Sequence, residues 1–338
     1  MEIKQNYPLS ERNTFGIAAQ TDWWIDYTCD ADIDRLVKDE FFQECRVQTI
    51  GEGSNLLFLA NFHGILLHSE VQGITELNRD ADSITLRVGS GMVWDDFVAY
   101  TVEQGYYGAE NLSLIPGQVG AAAVQNIGAY GVEVSQLIVA VHARNYRTGE
   151  TRVFSERDCR YAYRYSIFKE PDYAEWVIMY VDLRLQLTPS FSLEYTALSK
   201  VLAEEQTTPS LRTVRDTIIR IRRSKLPDPA TVGNAGSFFV NPVVSADKYA
   251  TLQADYPSIP SYPQPDGSAK VPAGWLIEQC GYKGHRDGAV GVYEHQALVL
   301  VNHGGATGTQ VAALAEEIIG RVRERFGIEL HPEVKYIL

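Results

Sequence analysis

The chain has 338 residues, enough for two or three domains and a sizeable core. Hydrophobic residues make up 45% and charged residues 22%, an ordinary globular balance, and a formal net charge of −13 argues against a nucleic-acid or anionic-membrane partner. The four cysteines, Cys29, Cys45, Cys159 and Cys280, are far apart with no CxxC spacing, so no disulfide framework and no metal site is expected.

The start, MEIKQNYPLSERNTFG, has no apolar signal-type run, and no stretch reaches membrane-spanning length. A reducing cytoplasm is the expected compartment. Residues 22–28 (DWWIDYT) read as a strand, and 31–42 as a helix with Asp30 placed to cap it. A second strand over 46–50 stops at Gly51-Glu52-Gly53-Ser54-Asn55. Two glycines, a hydroxyl and an amide directly after a strand make either a plain turn or a nest of N–H groups for a phosphate. Leu56-Leu57-Phe58-Leu59 then continues as an apolar run, so the G-x-G-x-x-G fingerprint opening a long helix is absent. The fold is not a Rossmann fold by that test.

Residues 83–89 alternate as a strand, and Trp94, Phe97, Val98 and Thr101 mark the inner face of a helix closed by Gly105. The stretch 111–131, NLSLIPGQVGAAAVQNIGAYG, is dominated by small residues. Ile115-Pro116-Gly117 is a turn signal, and 117–129 reads as a short helix with free N–H groups at its start. A core segment would carry Leu and Ile, and a linker would carry charge and Ser. Small residues instead let a backbone come close to a flat or charged partner. Either two backbones pack tightly here, or the stretch cradles a large pyrophosphate-bearing cofactor.

A hairpin is predicted from 137–146 and 151–154 about Thr148-Gly149, followed by a strand over 176–187. Between them, residues 160–169 (RYAYRYSIFK) interleave tyrosines with Arg160, Arg164 and Lys169. This pattern suits a solvated strand edge, or a site wall where an Arg among aromatic rings meets an anionic ligand. Leu211, Val214, Ile218 and Ile221 form a helical stripe. The same helix carries Arg212, Arg215, Arg220, Arg222 and Arg223, with Lys225 just beyond, a local reversal of the chain's charge. Leu226-Pro227-Asp228-Pro229 stops it and marks a domain boundary.

Residues 233–242 (GNAGSFFVNP) follow; Ser237 taken alone reads as a turn or capping serine, since no G-x-S-x-G elbow surrounds it. A proline-rich ordered loop spans 257–272, and 297–301 reads as a buried strand. Val311, Leu314, Ile318 and Val322 line a helix over 310–326, with Thr307 and Gln310 as a capping box and Gly327 as its stop. The tail, 330–338, alternates like a strand and carries Glu333, either a surface charge or a carboxylate returned to a site.

In combination these segments resemble the flavin-dependent UDP-N-acetylenolpyruvoylglucosamine reductases of peptidoglycan synthesis and cell-wall biogenesis. The likeness runs in order through 13–16 (NTFG), 51–57, 114–117, 125–131, 163–169, 225–229, 233–242, 262–267, 274–279, 296–302 and 332–336. The insertion at Leu193-Glu194-Tyr195 is similar to that of the subgroup with a substrate-covering tyrosine loop. Two positions depart from the pattern: Gln118 stands where a small residue or Cys is frequent, and Lys335 where Arg is frequent.

The resemblance implies an α+β, three-domain flavoprotein. Its FAD-binding module, of the vanillyl-alcohol-oxidase type, would occupy 1–70 and 71–225, and a C-terminal α+β substrate domain 226–338, its tail returning to the site. It implies FAD, held by Gly51, Gly53, Ser54, Asn55, Ile115, Pro116, Gly117, Gly120, Asn126, Gly128, Ala129, Tyr130 and Gly131. Neither glycine loop carries a His, so the FAD is expected to be non-covalent. NADPH would be the co-substrate. Arg164, Ser237 and Glu333 match the family's catalytic residues, as stabiliser of enolate charge, as proton donor, and as a carboxyl group that either polarises the substrate carboxylate in its acid form or orients Arg164. Tyr163, Tyr195, Lys225, Asn241, Tyr262 and Gln296 match its substrate contacts. The implied partner is a UDP-sugar enolpyruvyl ether as substrate, bound by a cytoplasmic monomer, with no nucleic acid and no membrane insertion. Two other functions remain open: an FAD-dependent sugar or alcohol oxidase on the same fold, and a non-redox sugar-nucleotide binder.

Overall fold

The computed structural model describes residues 1–206 and 208–338. The chain forms two compact units, the first comprising Met1–Tyr7, Thr21–Glu52 and His63–Arg222, the second Pro8–Gln20, Gly53–Phe62 and Arg223–Leu338. Both mix helices with sheets, and no helix among the described residues is long and apolar enough to cross a membrane.

One sheet has the strand order Glu2–Pro8, Gln20–Tyr27, Phe62–Ser69, Val47–Ile50, with the last two parallel. Ile25, Tyr27, Ile65 and Leu67 from these strands bury against Ile33, Leu36 and Phe42 from the adjoining helices. The helix expected over 31–42 is two helices, Asp30–Val37 and Glu40–Glu44, because the Asp39 side chain accepts from Phe42 N (2.9 Å) and caps a fresh start. Asp30 is not the N-cap. Cys29 holds that position without a side-chain bond, and Asp30 instead pairs with Arg144.

The five-stranded antiparallel sheet runs Thr151–Ser155, Ile138–Asn145, Trp176–Gln186, Ser83–Gly89, Ile74–Arg79. Alternating residues Ile84, Leu86 and Val88, and Val181, Leu183 and Leu185, share a core with Trp94, Phe97, Val98, Val119, Ala122 and Ala123. The last three lie on the small-residue helix, so the core fixes its position from below. Burying each large apolar side chain in such a core stabilises by about 1.5–3 kcal/mol.

In the second unit, Gly233–Asn234, Leu300–Asn302, Val290–Val292 and Arg286–Asp287 form an antiparallel sheet in that order. Helix Gly308–Phe326 buries Val311, Leu314, Ile318 and Val322; it starts at the Thr307–Gln310 capping box and ends at Gly327 (φ 62°). The tail strand Lys335–Ile337 pairs in parallel with Leu56–Phe58. That pairing brings the carboxyl terminus to the loop at 53–55.

Candidate functional site

The small-residue helix is Val119–Gln125, shorter than the sequence suggests. Its first N–H groups are not all free: Val119 N donates to Met92 O and Gly120 N to Ser90 O, both at 2.9 Å. A Cβ on Gly120 would lie 2.8 Å from Ser90 Cβ, so tight backbone packing is part of this stretch's purpose. Gly117 O accepts from Trp94 N (2.8 Å), which anchors the preceding turn with Ile115 and Pro116. After the helix, Asn126 takes a left-handed conformation (φ 45°) as its C-cap. Its amide donates to Ala162 O (2.8 Å) and Glu133 Oε2 (2.9 Å). Both hydrogens are therefore spent on protein, and its side chain ties two turns together. Gly128–Ala129 and Val132–Glu133 then pair about Tyr130 and Gly131, whose positive φ values (49° and 84°) make a tight reversal.

Arg164 lies against this hairpin. Residues 160–169 are neither strand nor strand edge: Ala162 and Tyr165 bridge around Tyr163 and Arg164, and Ile167–Lys169 is a turn of 3₁₀ helix. Arg164 Nη2 donates to Gly128 O (2.9 Å), and a Cβ on Gly128 would lie 3.1 Å from Arg164 Nη1. A methyl group at 128 would crowd the guanidinium, Glu133 Cγ and Val132 O, each 3.0–3.1 Å away. The same guanidinium sits 5.2 Å from the centre of the Tyr163 ring, a cation–π distance.

Tyr130 also meets the aromatic loop. Its ring packs edge-on to Tyr195 (5.3 Å, 80°), and both Tyr130 and Phe191 border the small core of Leu198, Leu202, Val214, Ile218 and Ile221. Burial raises the Tyr130 hydroxyl's pKa, offset in part by the Arg222 charge. Burial in turn pushes the Arg222 guanidinium below its ordinary value, while Tyr130 and Asp95 draw it up and Arg164 opposes it. Arg222 Nε is buried with no partner among the described residues. In the sequence Arg222 is only one of a basic run; that its guanidinium is desolvated beside Tyr130 is visible in the tertiary structure alone.

In the second unit Gly53 (φ 65°) packs so closely that a Cβ would lie 2.2 Å from Arg12 O. Its own carbonyl accepts from Thr14 N (3.2 Å), which brings the NTFG segment onto the glycine loop. Asn55 Nδ2 donates to Glu333 O (3.2 Å) and Lys335 N donates to Asn55 O (3.1 Å). Glu333 N donates to Phe238 O (2.8 Å), and Phe239 bridges Pro332. Glu333 and the Ser237 segment, almost a hundred residues apart in sequence, are thus hydrogen-bonded neighbours. Ser237 is exposed, whereas Phe238 and Phe239, which follow it in the chain, are 0% and 1% exposed.

The remaining predicted contacts fall as follows. Asn241 Oδ1 accepts from Ala273 N (2.9 Å), which leaves its amide hydrogens for other partners. Gln296 Oε1 faces Leu298 N (3.3 Å) and the bare Cα of Gly274. Tyr262 is exposed, with Lys270 Nζ 5.8 Å from its ring centre, and Lys225 is exposed at the end of its helix.

Gln118, the first departure from the family pattern, is accounted for. Its Nε2 faces His68 Nε2 (3.0 Å), Ser69 O (3.1 Å) and Gly91 O (3.2 Å). His68 Nδ1 in turn donates to Asp26 Oδ1 (2.8 Å), leaving Nε2 to accept from the amide. Nothing in the local sequence signals this chain of three residues.

Comparison with known proteins agrees with these features. Residues 228–337 match the family described as UDP-N-acetylenolpyruvoylglucosamine reductase, C-terminal domain, and residues 28–155 match an FAD binding domain. A UDP-N-acetylenolpyruvoylglucosamine reductase of Porphyromonas gingivalis is 85% identical over 338 residues, covering 100% of both chains. The Bacteroides fragilis protein of the same name is 45% identical over 335 residues, covering 99% of this chain and 100% of its own. The Pseudomonas aeruginosa one is 45% identical over 335 residues, covering 98% of each. Among solved structures, that of the Thermus caldophilus reductase aligns over 100% of this chain and 98% of its own, with a TM-score of 0.66 and 21% identity, a likeness of fold.

Proposed function

The chain belongs to the UDP-N-acetylenolpyruvoylglucosamine reductase family, and from that premise we infer that it reduces the enolpyruvyl ether of UDP-N-acetylglucosamine-enolpyruvate to UDP-N-acetylmuramate, a peptidoglycan precursor. The observation that carries this reading is the end-to-end 85% identity to a curated reductase. FAD is the cofactor and NADPH the reductant.

The residues present fit FAD. Gln125 Oε1, at the end of the small-residue helix, and Arg222 Nε, beside Tyr130, are buried without a partner among the described residues. Buried polar atoms are rarely left so, and a polar ligand would satisfy them. Gly51, Gly53, Ser54 and Asn55 would hold the pyrophosphate, and Ile115, Pro116, Gly117, Gly120, Asn126, Gly128, Ala129, Tyr130 and Gly131 the ring system. When bound, FAD supplies the two-electron hydride chemistry between NADPH and the ether.

The chain's own side chains carry the charge and the proton. Net reduction adds a hydride to the methylene carbon and a proton to the carbon bearing the carboxylate. Negative charge builds on that carboxylate, and preorganised donors are worth most where charge develops. Arg164 meets it; the contacts to Gly128 O and Tyr163 support this role, because a guanidinium already held needs little reorganisation. Ser237 gives the proton. A hydroxyl is a weak acid, but the enolate is strongly basic, and the buried Phe238 and Phe239 that follow Ser237 in the chain favour a fixed position. Glu333 either polarises the carboxylate as the acid form or orients Arg164. Tyr163, Tyr195, Lys225, Asn241, Tyr262 and Gln296 bind the substrate, chiefly its nucleotide and diphosphate. The domain division at about residues 70 and 225 and the cytoplasmic setting belong to the same reading, the latter supported by four unpaired cysteines.

The test uses the purified protein without oxygen. Its yellow absorbance is expected to bleach with NADPH and to return on adding the enolpyruvyl sugar nucleotide. Return of colour with oxygen alone would favour an oxidase, and a colourless protein that cannot be reconstituted with FAD would favour a sugar-nucleotide binder.

A further inference from the structure

We propose that Asn111 is a positioning residue that locks the aromatic loop carrying Tyr195 to the cofactor-side turn carrying Tyr130, so that the two move as one when substrate binds. The proposal rests on the reductase reading above.

Asn111 is 1% exposed. Its Nδ2 donates to Tyr130 O (2.9 Å) and to Ser192 O (2.7 Å). An amide nitrogen carries two hydrogens in one plane, so both donors are spent and their directions are fixed relative to each other. A shift of either carbonyl must then move the other or break a bond. The ledge presenting Asn111 is itself held firmly. Trp94 Nε1 donates to Leu112 O (2.9 Å), and Leu114 N donates to Asp95 Oδ1 (2.5 Å). Asp95 is clamped by both terminal nitrogens of Arg215 (2.7 and 2.9 Å).

The two segments it joins also touch through side chains. Tyr130 and Tyr195 pack edge-on, and Phe191 packs edge-on to Tyr107 (5.4 Å, 71°). Ring contacts alone allow sliding, because their energy changes little over small displacements. The pair of hydrogen bonds from a single nitrogen removes that freedom. A residue that merely filled two buried carbonyls would raise stability without altering how the loop responds to substrate.

Asn111→Asp keeps the shape and removes both hydrogens, placing an acceptor opposite two carbonyls. In the FAD-loaded variant the KM for the enolpyruvyl nucleotide is expected to rise by about tenfold to a hundredfold, the range for one unsatisfied buried group. The kcat is expected to stay within a few-fold, and amide hydrogen exchange to accelerate in both 128–133 and 191–195. Asn111→Ser, too short to reach either carbonyl but adding no opposing acceptor charge, raises the KM by less. An unchanged KM with only a lowered Tm overturns the proposal. Where neither variant folds, exchange in the unmutated holoenzyme decides: UDP-N-acetylmuramate must protect both segments together, and protection of one alone overturns it. Failure of the reductase reading shows separately, as absent turnover in the unmutated enzyme; the exchange comparison of ligand-free Asn111→Asp and wild type then still tests the lock.

Discussion

At the scale of single residues, Arg164 and Ser237 make separable predictions. Arg164→Lys keeps the charge but loses the planar fork that both bonds Gly128 O and lies on the Tyr163 ring. Turnover at saturating substrate is expected to fall by about 10²-fold or more, the scale for losing one preorganised donor. Near-wild-type turnover would return Arg164 to a surface charge. Ser237→Ala separates the half-reactions. Flavin reduction by NADPH needs no proton on carbon and should be nearly unchanged, whereas reoxidation by the enolpyruvyl nucleotide should slow by about 10²–10⁴-fold. Stopped-flow absorbance of each half measures this, and equal slowing of both would make Ser237 a turn residue. Both residues stood out in the sequence only through their motifs. The bond joining Glu333 N to Phe238 O, which sets Glu333 beside Ser237's segment, left no local trace there.

At the scale of elements, the glycine loop and the helix caps decide how firmly the site is held. Gly53→Ala would force a Cβ into Arg12 O at a residue already at positive φ. The cost is expected to be roughly 2–4 kcal/mol, combining backbone strain with overpacking. Urea titration of the apo protein would measure it, and a change below about 1 kcal/mol would show that the loop yields. Thr307→Ala removes the side-chain half of a complete capping box and should cost about 1 kcal/mol. The cap at Thr307 was readable because its partner Gln310 is three residues away. The helix break at Asp39 was not, because the apolar residues on either side keep a helical spacing that continues across it.

At the scale of the whole molecule, acid stability follows from its buried and half-buried carboxylates. Burial alone would raise the pKa values of Asp26, Asp32, Asp95 and Asp182. Hydrogen bonds from His68, Thr28, Arg215 and Arg87 outweigh that and hold all four below the ordinary carboxylate value. A depressed folded pKa means the unfolded chain binds protons first. The stabilisation is therefore complete above the unfolded carboxylate pKa of about 4 and is lost as pH falls further through the folded values. Glu110 acts oppositely, its pKa raised by burial, so its protonation slightly offsets that loss. Asp95→Asn should lower stability at pH 7 by about 1–3 kcal/mol and flatten the decline below about pH 4. Denaturant titrations at both pH values test this, and an unchanged acid slope would remove Asp95 from the set.

The sequence by itself determined what depends on neighbours along the chain. Alternation specified the strand at Ser83–Gly89, 3.6-residue stripes specified Leu211–Lys225 and Gly308–Phe326, and Gly105 and Gly327 marked helix ends. The ordered family motifs extended this to the mixed α/β fold and to the chemistry. Tertiary structure alone decided which groups meet. Gln118 finds His68 and Asp26, Asn55 finds Glu333 from 278 positions away, and the first amides of the small-residue helix find Met92 and Ser90. Such pairings are chosen by the packing of the whole chain, because a donor's distant acceptor has no counterpart in local propensity or spacing.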